Sequence, residues 1–340
     1  MKAAIFHEHG DSGVLRIEDV ATPVAGSGEV LLRVRAAALN HLDLWVRNGL
    51  PIETTMPHIG GSDIAGTVEA LGPGVSGVQV GARVIVNPSL SCGQCESCRA
   101  GEESLCAQYR ILGEHTNGGF AEFVAVPAVN LFPIPGDYPF ERAAAAPLAF
   151  LTAWRALVSK GRIGAGSSVL VTGASGGVAT AAIQIARYLG AQVYALTTAD
   201  NEARTRALGA DVVYDRNAGD FSKQVWQDTG KRGVDVILDS VGETIWPQCV
   251  RALTRGGRLV SYGATTGTRG EIDLRVLFWR QLEILGSTMS NRSEFEEVMR
   301  LVFSGALQPV VDSVMPLADI RAAHERMERG EHFGKIVLVP

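Results

Sequence analysis

The chain has no long apolar run and no block of like charge, and each absence excludes a class of protein. No stretch approaches the roughly 20 apolar residues that a helix needs to cross a bilayer. The first ten residues, MKAAIFHEHG, lack the apolar core of a signal peptide. We therefore expect a cytoplasmic protein with no membrane partner. The 36 acidic and 31 basic residues are scattered and give a net charge of −5, so no nucleic-acid partner is expected.

Cysteine is also scarce, but four of the five cysteines lie within fifteen residues, at Cys92, Cys95, Cys98 and Cys106. This spacing suits four thiolates around one tetrahedral Zn²⁺. Because the protein fills every position, the metal would stabilise a lobe of about residues 88–112 and would not react. Disulfides or unrelated buried thiols are the alternatives, and a reducing compartment disfavours the first. Cys249 is expected in the core.

Short apolar runs alternate with helix-length segments from about residue 166 onward. Such an alternation predicts an α/β fold with a doubly wound parallel sheet. The six predicted strands are Ser168–Thr172, Gln192–Thr197, Asp211–Tyr214, Val234–Ser240, Arg258–Gly263 and Leu282–Gly286.

A glycine-rich turn follows the first of these strands. Its residues are Gly173, Ala174, Ser175, Gly176, Gly177, Val178 and Ala179, and an amphipathic helix comes next. Glycines let the backbone approach a pyrophosphate, and the helix N-terminus offers free N–H groups to its oxygens. We predict a dinucleotide-binding turn. The alternative is a sheet that binds no nucleotide.

The end of the second strand predicts which nicotinamide cofactor binds. A site that prefers NAD(H) usually places a carboxylate there, on the 2′-hydroxyl of the adenosine. Here the strand ends in Thr197 and Thr198, and Arg204 and Arg216 follow. The sequence therefore favours NADP(H) over NAD(H), unless both arginines are solvated surface residues or Asp200 binds the ribose. Gly263, at the end of a later strand, completes the predicted cofactor site.

The two ends of the chain look different, with strands such as Val30–Arg35 and Arg83–Asn87 among glycine turns. They predict one mostly β domain made of residues 1–147 and 288–340, around a cofactor domain of residues 148–287. A cleft between two such domains is a common place for an active site.

Four segments together resemble the medium-chain dehydrogenase/reductase superfamily of zinc-type alcohol dehydrogenases and quinone oxidoreductases. They are GSDIAGTVEALGPGV, the four-cysteine segment, PLAFLTAW and GASGGVA, in this order. The resemblance covers essentially the whole chain. It implies a GroES-like catalytic domain, a Rossmann domain and hydride transfer to or from nicotinamide.

The chain departs from this family at the catalytic metal. Where zinc alcohol dehydrogenases have a Cys, a His and a further Cys, this sequence has Asn40, Ser62 and Leu148. These side chains cannot supply the three donors that a catalytic zinc requires. The hydroxyl and histidine of the family's proton relay are replaced by Leu42 and Trp45.

Three residues are the catalytic candidates that the resemblance suggests. Asn40 would donate a hydrogen bond to the substrate carbonyl or the nicotinamide amide, with a helix N-cap as its alternative role. Asp43 would order the turn, and Thr152 would contact the nicotinamide ring. His41 is either a proton donor or a packing residue. An irregular metal site of His41, His58 and Asp63 is a further alternative.

Without a Lewis acid, forming an alkoxide from a simple alcohol is difficult. A quinone or an α,β-unsaturated carbonyl accepts hydride readily when its oxygen is hydrogen-bonded. We therefore expect NADPH-dependent reduction of such an acceptor. An alcohol dehydrogenase that keeps catalytic zinc is one alternative, and a cofactor-binding sensor with little turnover is another. The last predicted strand could pair with its copy, which predicts a homodimer or a dimer of dimers.

Overall fold

The computed structural model describes residues 1–51 and 53–340 and forms strands and helices along most of this length. The strands are β1 Lys2–Ile5, β2 Arg16–Asp19, β3 Glu29–Ala38, β4 Asp63–Leu71, β5 Arg83–Val86, β6 Ser89–Leu90, β7 Arg110–Ile111, β8 Phe123–Pro127, β9 Leu131–Pro133, β10 Ser168–Val171, β11 Gln192–Thr197, β12 Val212–Asp215, β13 Val234–Asp239, β14 Leu253–Ser261, β15 Glu283–Gly286, β16 Val311–Pro316 and β17 Lys335–Val339.

The α-helices are α1 His41–Asn48, α2 Glu96–Arg99, α3 Phe140–Ala144, α4 Pro147–Trp154, α5 Gly177–Tyr188, α6 Glu202–Ala207, α7 Phe221–Asp228, α8 Trp246–Ala252, α9 Leu274–Arg280, α10 Arg292–Phe303 and α11 Ile320–Glu328. A π-helical stretch, Arg155–Lys160, continues α4. None of the helices in the described residues is both long enough and apolar enough to span a bilayer.

Backbone contacts divide the chain into two units. The first unit comprises residues 1–148, 290–305 and 309–340, and the second comprises residues 149–289 and 306–308. The predicted domain limits, 1–147, 148–287 and 288–340, stay predictions.

The first unit is built on a largely antiparallel sheet in the order β16-β17-β3-β4-β5-β9, with β8 paired to β3. The alternation of β3 explains its position: Val30, Leu32 and Val34 are buried, whereas Arg33 is exposed. The last strand, β17, pairs with β3 next to Ala37 and Ala38. The C-terminal segment therefore completes a sheet that the N-terminal residues begin.

The second unit is a six-stranded, wholly parallel sheet in the order β12-β11-β10-β13-β14-β15. The order reverses next to β10, where a doubly wound sheet binds its ligand. The α/β fold with a Rossmann sheet and a GroES-like unit is thus confirmed. Because β13 also pairs with Leu253, β14 begins there, five residues before the predicted start at Arg258.

Two helices begin at residues with a special backbone role. Helix α5 begins at Gly177, because Gly176 is extended and serves as its N-cap. Ala181, Ala182, Ile185 and Ala186 are buried, whereas Leu189 lies past the end of the helix and is half-buried. Pro147 begins α4, a position that proline tolerates because it needs no N–H donor there.

Candidate active site and metal centre

Asp43 ties the start of α1 to the loop that precedes β4. Its carboxylate accepts the backbone N–H of Asn40 at 2.7 Å and that of Gly61 at 2.9 Å. Burial raises the pKa of Asp43 to about 7, although both N–H donors oppose the shift. The predicted role of Asp43 in ordering this turn stays a prediction, and these two hydrogen bonds are the contacts through which it would act.

A buried polar cluster of Asn40, Asp63 and Lys335 lies beside this turn. Asp63 Oδ2 accepts the Lys335 ammonium at 2.9 Å and the Asn40 amide N–H at 3.0 Å, and its Oδ1 accepts the backbone N–H of Leu148 at 2.7 Å. The ammonium also donates to Asn40 Oδ1. The side chains of Lys335 and Asp63 are 4% and 0% exposed, so the ion pair is effectively dry.

The Asn40 amide is therefore held by the protein on both sides. Its nitrogen donates to Asp63 and, at 3.4 Å, to the Ala38 carbonyl, while its oxygen accepts from Lys335. Asn40 is also the N-cap of α1. The predicted direct contact of Asn40 with substrate or nicotinamide stays a prediction. The hydrogen bonds that its amide makes in the structure are those of a residue that positions its neighbours.

The positions at which the resemblance implies zinc ligands, residues 40, 62 and 148, adjoin this cluster. The Asn40 amide and the Leu148 backbone N–H both donate to Asp63, and the fully buried Ser62 hydroxyl has no hydrogen-bond partner within residues 1–51 and 53–340. A nearby ammonium repels a divalent cation. An amide, a hydroxyl and an isobutyl group beside a buried lysine do not fit a catalytic metal.

His41 and His58 are poor proton donors at neutral pH. Burial, with smaller effects from His332 and Lys335, lowers the pKa of His41 to about 4. Its ring lies 5.9 Å from the ring of His332. His58 Nε2 donates to the Gly113 carbonyl at 3.0 Å, and burial lowers the pKa of this histidine. The imidazole rings of His41 and His58 are therefore neutral at pH 7. Within the described part of the chain, His41, His58 and Asp63 do not form a cluster that could hold a metal.

In the second unit, the glycine turn joins β10 to α5 as predicted. Gly173 has a φ of +59°, a left-handed conformation that favours glycine. Gly176 caps α5, and the first backbone N–H groups of this helix have no partner within it. The turn thus fits a bound pyrophosphate. Thr152, on α4, is 5% exposed, and its Oγ1 lies 3.9 Å from Met289 Sδ.

The residues predicted to select the cofactor follow β11. Thr197 is buried at the end of this strand, and its carbonyl accepts the Arg216 N–H at 2.7 Å. Thr198 is half-buried and accepts from Asn201 at 3.1 Å, while Arg204 and Arg216 are exposed. Gly263 lies close to Ser240, where an added Cβ would approach the Ser240 Cβ to 3.2 Å. Position 197 therefore carries no carboxylate that could bind the 2′-hydroxyl of an adenosine.

The four grouped cysteines converge on one point. They are free thiols whose sulfur atoms all lie within 4.8 Å of one another, with Cys92 Sγ 3.5 Å from Cys106 Sγ and 3.9 Å from Cys98 Sγ. Four sulfurs at ~2.3 Å from one tetrahedral zinc would be roughly 3.8 Å apart. Backbone N–H groups of Gln94 and Cys95 lower the pKa of Cys92 to about 6 and favour a thiolate. The cluster fits a structural zinc.

Comparisons with known proteins agree with this geometry. The family profile of the alcohol dehydrogenase GroES-like domain matches residues 26–136, and that of the zinc-binding dehydrogenases matches residues 208–338. The acryloyl-coenzyme A reductase of Sulfurisphaera tokodaii is 30% identical over 96% of both chains. The chain belongs to the medium-chain dehydrogenase/reductase family. It is a nicotinamide-dependent oxidoreductase.

Two further members of the family extend the comparison. The quinone oxidoreductase of Homo sapiens is 29% identical over 100% of this chain and 98% of its own. A crystal structure of an NAD-dependent alcohol dehydrogenase superposes with a TM-score of 0.96 at 43% identity, over 100% of both chains. The family thus includes proteins named as an acryloyl-coenzyme A reductase, a quinone oxidoreductase and an alcohol dehydrogenase.

Sequence reasoning missed Lys335 and Glu114. Lys335 is one of only five lysines and opens the otherwise apolar strand β17, which is an unusual place for a charge. Asp63 likewise opens the apolar start of β4. Because Asp63 and Lys335 carry opposite charges and each opens an apolar strand, the sequence could have predicted a buried ion pair between them. Nothing in the sequence around Glu114 distinguished it from a loop residue.

The structural zinc can be tested by removing one thiol. We expect one zinc per chain in the wild-type protein, and loss of that zinc with a lower Tm in Cys106→Ser, because three thiols leave the site open. Elemental analysis and thermal unfolding are the measurements. Cys249→Ala, which removes the buried fifth thiol, should keep the zinc. Full zinc retention in Cys106→Ser would refute the four-thiol site.

The buried ion pair predicts a large change in stability. Lys335→Met should lower the free energy of unfolding by about 3–5 kcal/mol, because it leaves Asp63 charged and unpaired. Lys2→Met removes an exposed ammonium 3.3 Å from Asp19 and should cost only about 0–1 kcal/mol. Denaturant unfolding measures both.

The double variant Asp63→Asn/Lys335→Met isolates the cause. It should recover part of the stability lost in Lys335→Met, since no unpaired charge remains. A double variant less stable than Lys335→Met would show that packing, not charge, accounts for the loss.

Proposed function

We propose that this protein reduces quinones or α,β-unsaturated carbonyls with NADPH and without a catalytic metal. The observation that carries the proposal is the surroundings of Asn40, Ser62 and Leu148, which stand where the resemblance implies zinc ligands. None of the three has a thiolate, imidazole or carboxylate, and Asn40 is hydrogen-bonded to the buried Asp63–Lys335 pair. Reduction of an acceptor that is already electrophilic requires no Lewis acid.

The residues of the first unit would bind and orient the acceptor. Asp43 and Asp63 fix the two loops that carry Gly61, Ser62 and Asn40, so the backbone there is held before substrate arrives. The buried Ser62 hydroxyl is a candidate donor to the acceptor oxygen, because no group in the described part of the chain accepts its proton. Donors that are preorganised in this way stabilise negative charge as it develops.

The residues of the second unit would hold the cofactor, which supplies the hydride when bound. The glycine turn at Gly173 and Gly176 would receive the pyrophosphate. We propose that Thr198, Arg204 and Arg216 favour NADP(H), because Arg204 on α6 and Arg216 directly after β12 lie at the surface, where arginines can bind a 2′-phosphate. The absence of a carboxylate at Thr197 removes the group that would repel this phosphate.

The relatives support this class of reaction. An acryloyl-coenzyme A reductase and a quinone oxidoreductase both act on conjugated acceptors by name. The alcohol dehydrogenase structure at 43% identity supports a second candidate, oxidation of alcohols or reduction of aldehydes.

An acceptor screen separates the two candidates. We expect oxidation of NADPH with a simple quinone and with an enone or enoyl thioester, faster than with NADH, and little reduction of NADP⁺ or NAD⁺ with primary or secondary alcohols. Absorbance at the reduced-nicotinamide band measures both directions. The chelator-treated protein, in parallel, shows whether any activity depends on metal. Alcohol oxidation that exceeds acceptor reduction would refute the proposal, and tight cofactor binding without turnover would favour the sensor alternative.

We further propose a homodimer, or a dimer of such dimers, through β15. This strand is the last of the parallel sheet and exposes Ile284. An edge strand has unpaired backbone groups that a second copy can satisfy. Light scattering at micromolar concentration should give a dimer for the wild type and a shift toward monomer for Ile284→Glu.

The matched control for the dimer is Ile17→Glu. Ile17 on β2 and Ile284 are both 37% exposed, but Ile17 is not on the parallel sheet. A monomeric wild type, or equal effects of the two variants, would rule out pairing at β15.

A further inference from the structure

Glu114 lies in a loop that is packed tightly against the candidate site of the first unit. Gly118, Gly119 and Phe120 donate backbone hydrogen bonds of 2.7–3.0 Å to the carbonyls of residues 59, 61 and 60. Gly113 contacts Gly61 so closely that an added Cβ would lie 2.6 Å from the Gly61 carbonyl carbon. Glu114 is therefore the next residue after Gly113, which makes the backbone contact with Gly61.

The carboxyl group of Glu114 is buried, and one of its oxygens lacks a hydrogen-bond donor. The residue is 8% exposed, and Oε2 has no hydrogen-bond partner among the residues that the structure describes. The nearest basic atom is His115 Nδ1, 3.5 Å from Oε2. That nitrogen already accepts the Ile111 N–H at 3.2 Å, so it offers the carboxyl no proton. A buried carboxyl without a donor is more stable in its neutral form.

The charges around Glu114 also favour the neutral acid. Asp43 on α1 is the anionic group that faces it, while His115 on the same loop and His58, bound to the Gly113 carbonyl, have lowered pKa values and carry no charge at pH 7. Burial and, second, the charge of Asp43 raise the pKa of Glu114 to about 7. The group can therefore hold a proton at neutral pH and give it up.

We propose that Glu114 is the general acid that protonates the α-carbon of a conjugated carbonyl substrate. This rests on the proposed reduction of such acceptors. Hydride adds to the β-carbon, the electrons of the C=C bond move toward the oxygen, and an enolate results. The enolate α-carbon then takes the proton from the Glu114 carboxyl, forming a C–H bond and breaking the O–H bond. The carboxylate regains a proton from water, so one hydride and one proton are consumed per saturated product.

Quinones provide an internal comparison, because their reduction places the final proton on oxygen. Water protonates an oxyanion rapidly, whereas protonation of carbon is slow and benefits from a positioned acid. The general-acid role therefore predicts that Glu114 matters for enones and not for quinones. A residue that only stabilises the loop would affect both substrates alike.

The test compares Glu114→Gln with the wild type on both acceptors. Glu114→Gln should lower kcat for an enone about 100-fold and leave kcat for a quinone close to that of the wild type. Glu114→Asp keeps an acid and should recover part of the enone rate. Glu8→Gln, which changes an exposed carboxylate of the same unit, should alter neither rate. For the wild type, kcat for the enone should fall as pH rises through about 7, and Glu114→Gln should lose this limb.

A readout without cofactor or substrate checks the protonation state itself. The folded pKa of Glu114 lies above its usual value of 4.5, so folding favours the protonated carboxyl. Its contribution to stability is complete below pH 4.5 and is lost as pH rises toward 7. The Tm of Glu114→Gln should therefore fall less than that of the wild type over this range.

The outcomes are distinct. Selective loss of enone reduction together with a flatter pH dependence of Tm supports the proposal. A wild-type enone rate in Glu114→Gln, or equal loss with both acceptors, overturns it. A wild type that reduces quinones but no enone overturns the role of Glu114 and leaves the proposed function in place. A wild type that reduces neither acceptor overturns both.

Discussion

The structure of the candidate site depends on one carboxylate, that of Asp63. It is fully buried, and a buried charge is tolerated only when it is paired and hydrogen-bonded. Its three donors come from α1's N-cap, from the start of α4 and from the last strand. Satisfying a single anion thus fixes the relative positions of residues 40, 148 and 335. Each of these residues would otherwise be free to adopt another rotamer or register.

This constraint has a chemical consequence. In a site with a bound zinc, the metal would polarise the substrate and organise its ligands. Here the ammonium of Lys335 organises the side chains, but its charge is largely neutralised by Asp63 at 2.9 Å. An ion pair whose charges neutralise each other positions the surrounding side chains but adds little electrophilic activation of a substrate. In the proposed reaction the substrate brings its own electrophilicity, and the protein would orient it, exclude water and supply a proton.

Features determined by neighbouring residues were predictable from the sequence. Short apolar runs predict the six parallel strands, and closely spaced glycines predict the turn after the first of them. The spacing of four cysteines within fifteen residues predicts that their thiols lie together. Strand limits were less exact, since pairing with β13 extends β14 back to Leu253. Helix starts depended on the conformation of single residues such as Gly176.

The polar cluster could not be predicted in the same way. Asp63 and Lys335 are 272 residues apart, and only the pairing of β17 with β3 brings them together. Asn40 was a plausible cap and a plausible ligand for substrate, and nothing local decides between the two roles. Glu114 gains its properties from burial and from Asp43, neither of which the local sequence shows. Tertiary contacts, not residue types, determine which of these groups can exchange a proton.

The close grouping of thiols in the cysteine lobe makes it sensitive to oxidation. With sulfurs 3.5 Å and 3.9 Å apart, Cys92 has two neighbours within reach of a disulfide after small rearrangements. A bound ion holds these sulfurs as ligands, whereas loss of the ion under oxidising conditions would let them pair and would lock the lobe in a different shape. Oxidation after loss of the ion would therefore act on a lobe whose last cysteine lies eight residues before Glu114.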